Sequence, residues 1–210
     1  MELENFMKKL QESEILIHPH DHKTKKDWKR ILGFLDNNLD LREMNSFLDL
    51  GAGLGNLGSF ILMKNPNCKA VCQDINPDYL RMISQKNPKI QTLCGDINQP
   101  LPFEDQKFDL VSCIGTLHYS YLKNPEKVLQ EMIRMSKKYI LIDCFSKHLP
   151  WVLIAKIFFP ENNSRKSSRF QAKKIFRKHN LKIIDKTGTR TPFPKLFPFS
   201  GKLVLFLLEK

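Results

Sequence analysis

Asp49 stands two residues ahead of three glycines at alternate positions, in Asp49-Leu50-Gly51-Ala52-Gly53-Leu54-Gly55. A second acid, Asp74, closes the run Lys69–Gln73, and a third, Asp96, follows Ile90–Cys94 and Gly95. Glycines after an apolar run let the backbone turn sharply and approach a ligand more closely than any side chain would permit. The helical pattern beyond them offers unpaired N–H groups and the positive end of a helix dipole. A carboxylate takes two hydrogen-bond donors at once. The chemistry implied is capture of a ligand that is negatively charged or rich in hydroxyls.

Apolar runs and helical patterns alternate around these residues. Helical spacing covers residues 1–10 and Lys23–Leu39, the latter with Trp28, Ile31, Leu32 and Leu35 on one face and Asp21 as its N-cap. Strands are expected at Phe47–Leu50, Lys69–Gln73, Ile90–Cys94, Phe108–Cys113 and Tyr139–Cys144. Between them lie a helix from the glycines through Lys64, a helix Asp78–Lys86 opened by Pro77, an extended loop Pro100–Phe103 and a helix Pro125–Lys137. A basic amphipathic helix, Arg169–His179, precedes two last strands, Leu181–Lys186 and Lys202–Glu209. Such alternation implies an α/β protein with a mostly parallel sheet covered on both faces. The last two strands are joined by Thr187–Gly201, which holds Pro192, Pro194 and Pro198 and no crossover helix, so they are free to pair antiparallel.

The glycines admit two readings. Gly53-Leu54-Gly55-Asn56-Leu57-Gly58 fits G-x-G-x-x-G, with Asp74 about 20 residues on, as a dinucleotide site requires. The turn, however, starts at Gly51, directly after the strand, and from there that pattern fails at Asn56. Read with Asp49, the segment resembles motif I of the class I S-adenosylmethionine-dependent methyltransferases. Acids at the ends of the first three strands, in this order, extend the resemblance across Phe47 to Cys144, and it is strongest for the small-molecule type with a His after strand 4. A dinucleotide enzyme accounts for Asp74 but not for Asp49 or Asp96.

The resemblance implies a Rossmann-like, seven-stranded sheet of order 3-2-1-4-5-7-6 with strand 7 antiparallel, and S-adenosylmethionine as methyl donor. In it Asp74 takes the ribose hydroxyls, Ile75 packs on adenine, and Asp96 with the Ile97 N–H reads the adenine amino edge. Gly51, Gly53 and Gly55 form the cofactor loop. Asp49, with the carbonyls of Cys113 and Ile114, faces the methionine ammonium. His118 is the candidate base or pocket residue, and Asp143 and His148 are weaker candidates for substrate contact. Where family members often carry a Pro-Gly-Gly turn before strand 5, this chain has Met135–Tyr139. One domain is expected over 1–210: a helical cap (1–45), a cofactor-binding core (46–145), a substrate-cover insertion with the basic helix (146–180) and a strand pair (181–210).

The net charge of +12 lies entirely in the last third: residues 137–210 hold 17 Lys/Arg against 4 Asp/Glu. That excess suits solubility, nucleic acid, anionic lipid or an acidic small substrate. Base N-methylation on nucleic acid needs Asn/Asp-Pro-Pro-Tyr/Phe after strand 4, and Cys113-Ile114-Gly115-Thr116 stands there instead. Cytosine C5 chemistry needs a Pro-Cys nucleophile, and Cys144 follows Ile142-Asp143. A small-molecule acceptor is therefore expected, with RNA or protein methylation through the basic third as the alternative, and a non-catalytic binding module as the remaining one. The apolar stretch Leu149–Pro160 suggests a greasy or aromatic acceptor, or a lid packed on the core. Five cysteines without a C-x-x-C pair read as reduced core thiols. No signal peptide and no run near the ~20 apolar residues of a membrane span is visible, so a cytoplasmic protein is expected. His18, His20 and His22 alternate as metal ligands can, but a loop explains them equally and no metal is expected.

Overall fold

The computed structural model describes residues 2–12, 24–117, 124–145, 169–189 and 203–210. Two N-terminal helices, α1 (Glu2–Glu12) and α2 (Lys25–Asn38), lead through a 3-10 turn, Leu41–Glu43, into β1 (Ser46–Leu50). There follow α3 (Asn56–Lys64), β2 (Lys69–Asp74), α4 (Pro77–Lys86), β3 (Gln91–Cys94), β4 (Phe108–Cys113), α5 (Pro125–Met135) and β5 (Ser136–Phe145). The chain ends with α6 (Arg169–Lys178), β6 (Lys182–Thr189) and β7 (Leu203–Glu209). The strands form one sheet in the order β3-β2-β1-β4-β5-β7-β6, with β7 antiparallel to both neighbours and the other pairs parallel, as expected.

Several element boundaries differ from the sequence reading by one to three residues, and two of them have a clear physical cause. The second helix is capped by Thr24, not Asp21. Thr24 Oγ1 accepts the Asp27 N–H at 3.2 Å while the Asp27 carboxylate accepts the Thr24 N–H at 3.0 Å. This reciprocal pair satisfies two donors at the helix start and fixes where it begins. The fifth helix stops at Met135 rather than Lys137, because Ser136 already pairs with Phe108 of β4 and its hydroxyl donates to the Tyr139 carbonyl at 2.9 Å.

Alternating residues of each strand serve two cores. Phe47, Ala70, Cys72, Leu110, Leu141, Leu205 and Leu207 pack with α1, α2, α3 and α4. Leu48, Leu50, Val71, Val111, Ile140, Ile142, Val204, Phe206 and Leu208 pack with α5 and α6, where the Phe176 ring meets Phe206 edge-on at 5.3 Å. With both faces covered, the sheet can bind a ligand only along its edges or beyond its strand ends. The connections from β1 and β4 leave in opposite directions along the sheet, and the crevice between them lies at the carboxyl ends, where ligands bind in open α/β sheets.

Candidate functional site

The loop from β1 to α3 holds three left-handed glycines, with φ of 64° at Gly51, 54° at Gly53 and 67° at Gly55. A Cβ on Gly51 would lie 2.2 Å from Thr116 Oγ1, so the loop after β4 occupies the space its missing side chain leaves. A Cβ on Gly53 would meet nothing within 4 Å. Gly53 thus presents bare backbone to open space at the carboxyl end of the sheet.

Asp74 closes β2 beside this loop and is 7 % exposed. Its Oδ2 accepts the Gly53 N–H at 2.8 Å and its Oδ1 accepts the Asn76 N–H at 2.9 Å. Two backbone donors hold the carboxylate still, and each oxygen keeps a second lone pair for a ligand hydroxyl. Directly after it Ile75 is 54 % exposed, a large apolar side chain left in solvent at the end of a buried strand. Asp96, beyond β3, accepts both the backbone and side-chain N–H of Asn98 on Oδ1, at 2.9 and 2.7 Å. Its Oδ2 has no hydrogen bond among the described residues. Ile97 is buried behind it against Leu101.

Asp49 is almost fully buried near the end of β1, and Ser112 Oγ of the neighbouring β4 donates to its Oδ1 at 2.6 Å. Cys113 and Ile114, at the end of β4, are buried alongside. Asp143 of β5 is also buried, and its Oδ1 accepts the Gly115 N–H at 2.9 Å, so it holds the loop after β4 in place. The structure therefore gathers Asp49, Gly51, Gly53, Gly55, Asp74, Ile75, Asp96, Ile97, Cys113 and Ile114 along one edge of the sheet. His118 and His148, the His18–His22 segment and the Leu149–Pro160 stretch lie outside the described residues.

Three residues of this edge escaped the sequence reading. Gln73, buried, donates through Nε2 to the Gly95 carbonyl and accepts the Gly51 N–H on Oε1 at 3.3 Å, tying the loops after β1 and β3 together. A polar residue inside the apolar run Ala70-Val71-Cys72 was its only signal. Ser112 and Thr116 act through contacts across 63 and 65 positions, which no local pattern reveals.

All five cysteines are free thiols, four buried and Cys94 exposed. Burial, with the charges of Asp49 and Asp74 adding to it, pushes the Cys72 thiol well above its ordinary value. Burial and then Asp143 push Cys144 up to about 12, and burial and then Asp109 push Cys68 up to about 11. These three stay protonated at neutral pH and are poor nucleophiles.

These features fit an adenosine bearing an amino-acid tail: a pinned carboxylate for a ribose, an exposed apolar face and an unpaired acceptor for a base, and bare glycine backbone beside a buried acid. Residues 47–139 match the model of the methyltransferase domain family. Among curated proteins, none matches the chain in sequence. Three solved structures share its fold. Magnesium protoporphyrin IX methyltransferase from Synechocystis, with S-adenosylhomocysteine bound, superposes with a TM-score of 0.71 at 14 % identity over 98 % of this chain and 93 % of that one. An S-adenosylmethionine-dependent methyltransferase from Mesorhizobium loti gives 0.66 at 11 % identity, over 88 % and 98 %. The cycloaddition cyclase SpnF gives 0.68 at 12 % identity, over 100 % and 93 %. Because a cyclase shares the fold, fold alone does not dictate methyl transfer; the domain match over residues 47–139 is what points to it. Residues 47–139 thus carry a methyltransferase domain, on the Rossmann-like fold that S-adenosylmethionine-dependent methyltransferases share.

Proposed function

We propose that the chain methylates a small-molecule acceptor, with Asp74 taking the ribose hydroxyls, Ile75 packing on the adenine and the Ile97 N–H donating to its edge. Asp96 then reads the adenine amino group, and Asp49 with the Cys113 and Ile114 carbonyls faces the methionine ammonium. The observation that carries this reading is the Asp74 carboxylate, held by the N–H groups of Gly53 and Asn76 beside the exposed Ile75. When bound, S-adenosylmethionine supplies a methyl group already activated on a sulfonium. The protein's part is to align the acceptor with that methyl and exclude water. A base is needed only for an acceptor that arrives protonated. His118, five residues beyond β4, is the proposed base or pocket residue.

The acceptor reading is supported by what the basic third does within the fold. Lys137 pairs with Asp109 at 3.1 Å, Lys178 with Glu126 at 2.8 Å and Lys182 with Glu209 at 3.4 Å. Part of the excess charge is thus engaged within the protein. Salt-sensitive RNA binding, lost when the remaining C-terminal lysines are neutralised, would favour RNA as acceptor instead. Among the described residues no helix is long and apolar enough to cross a membrane, and with the free thiols this supports a cytoplasmic site of action.

Calorimetry tests the cofactor assignment. Wild type is expected to bind S-adenosylhomocysteine, and Asp74→Ala to lose that binding. Unchanged affinity in the variant would overturn the ribose assignment.

A further inference from the structure

Gln73 stands one residue before Asp74 in β2, 1 % exposed and preceded by the buried Ala70, Val71 and Cys72. In register it lies between Leu50 of β1 and Leu93 of β3. Each of those leucines is within two residues of a glycine, Gly51 on one side and Gly95 on the other. From that place one amide reaches both loops. Its Oε1 accepts the Gly51 N–H at 3.3 Å, and its Nε2 donates to the Gly95 carbonyl. A side-chain amide carries an acceptor and a donor on one planar group, which is what an N–H on one side and a carbonyl on the other require.

Main-chain bonds repeat the pattern. The Gln73 carbonyl accepts the Ala52 N–H at 2.9 Å, and the Asp74 carbonyl accepts the Gly95 N–H at 3.1 Å. With the Gly53 N–H on Asp74 Oδ2, three successive N–H groups of the loop after β1 end on two successive residues of β2. The main-chain bonds survive any change of side chain at position 73. The two amide bonds do not, and losing them leaves a backbone donor and a backbone acceptor unpaired on opposite sides of β2.

In the cofactor assignment made above, on which this inference rests, the loop after β3 meets the adenine and the loop after β1 meets the methionine end. We infer that Gln73 is a positioning residue that touches no ligand: it fixes the spacing of the two loops, so that the site selects the whole cofactor over a truncated nucleoside. Loops held in place before the ligand arrives need no ordering when it binds. A ligand that spans both loops collects that gain in full. One that lacks the amino-acid end, such as 5′-deoxy-5′-methylthioadenosine, depends on β2 and the loop after β3, which keep their main-chain bonds in any variant at position 73.

Calorimetry on the full chain with S-adenosylhomocysteine and methylthioadenosine tests it in two variants of similar length. Gln73→Met removes both bonds. Gln73→Glu keeps the acceptor but sets an oxygen against the Gly95 carbonyl until its carboxyl is protonated, and burial raises that carboxyl toward neutral pH. At about pH 8 both variants are expected to bind S-adenosylhomocysteine roughly tenfold more weakly than wild type, and methylthioadenosine within about threefold. At about pH 6 Gln73→Glu should regain S-adenosylhomocysteine to within about threefold of wild type, while Gln73→Met should not. Wild type carries the same Asp49, Asp74 and Asp96, so the ratio to wild type at each pH cancels their titration. Equal losses for the two ligands would mark a merely structural residue and overturn the inference. So would full affinity in Gln73→Met, or no recovery of Gln73→Glu in acid. Hydrogen exchange on ligand-free wild type decides the matter even where a variant fails to fold. The Gly51 amide should exchange on the order of a hundredfold more slowly than an open loop, and unprotected exchange would overturn the inference. Wild type binding neither ligand would overturn the cofactor assignment itself, a result distinct from all of these.

Discussion

At the scale of single residues, the glycines of the β1–α3 loop separate two roles that one motif conflates. Gly51 is needed for folding, because a side chain there would drive into Thr116. Gly53 faces open space, so a methyl group there costs only the left-handed backbone, about 1–2 kcal/mol. Gly51→Ala is expected to lower the melting temperature more than Gly53→Ala, while both weaken S-adenosylhomocysteine binding. Thermal melts and calorimetry on the pair check this; Gly53→Ala with full affinity would show that the open space is not the cofactor's. The acids of this edge were legible in the sequence because each stands at or close to the end of a strand-like run, a local signature. Gln73, Ser112 and Thr116 were not, since their roles arise from partners on other strands and loops.

At the scale of elements, Asp109 joins three segments that meet at the opposite, amino end of the central strands. Its Oδ2 accepts the N–H groups of Asn45 and Ser46 at the start of β1, both at 2.9 Å, and its Oδ1 accepts from Lys137 of β5 at 3.1 Å. Burial pushes its carboxyl up, but the hydrogen bonds from Lys137, Ser46 and Asn45 and the Lys137 charge outweigh this and hold it below the usual value. A depressed folded value means the carboxylate contributes stability at neutral pH, and that contribution disappears as acid protonates it. Asp109→Asn should cost about 1–3 kcal/mol at neutral pH, with the gap to wild type closing as pH falls below about 4. Urea unfolding at several pH values measures it, and a gap independent of pH would refute the role. Element types and their order were readable from periodicity. Their boundaries were less so: Thr24 and Ser136 set two of them through side-chain hydrogen bonds and strand pairing, and hydrophobic spacing carries neither.

At the scale of the whole molecule, the sheet places β1 beside both β2 and β4, so the strand ends and loops carrying Asp49, Asp74, Asp96 and Cys113 open on one edge although 64 residues separate the first from the last. The order was inferable because a proline-rich, helix-free connection before β7 permits an antiparallel return, and a familiar motif set the rest. The central claim is that this edge holds S-adenosylmethionine through its three acids. A crystal structure with S-adenosylhomocysteine tests it most directly. The ribose hydroxyls should lie within hydrogen-bonding distance of Asp74, with the adenine against Ile75 and its amino group at Asp96. A nucleoside bound away from Asp74, with Ile75 still in solvent, would contradict it.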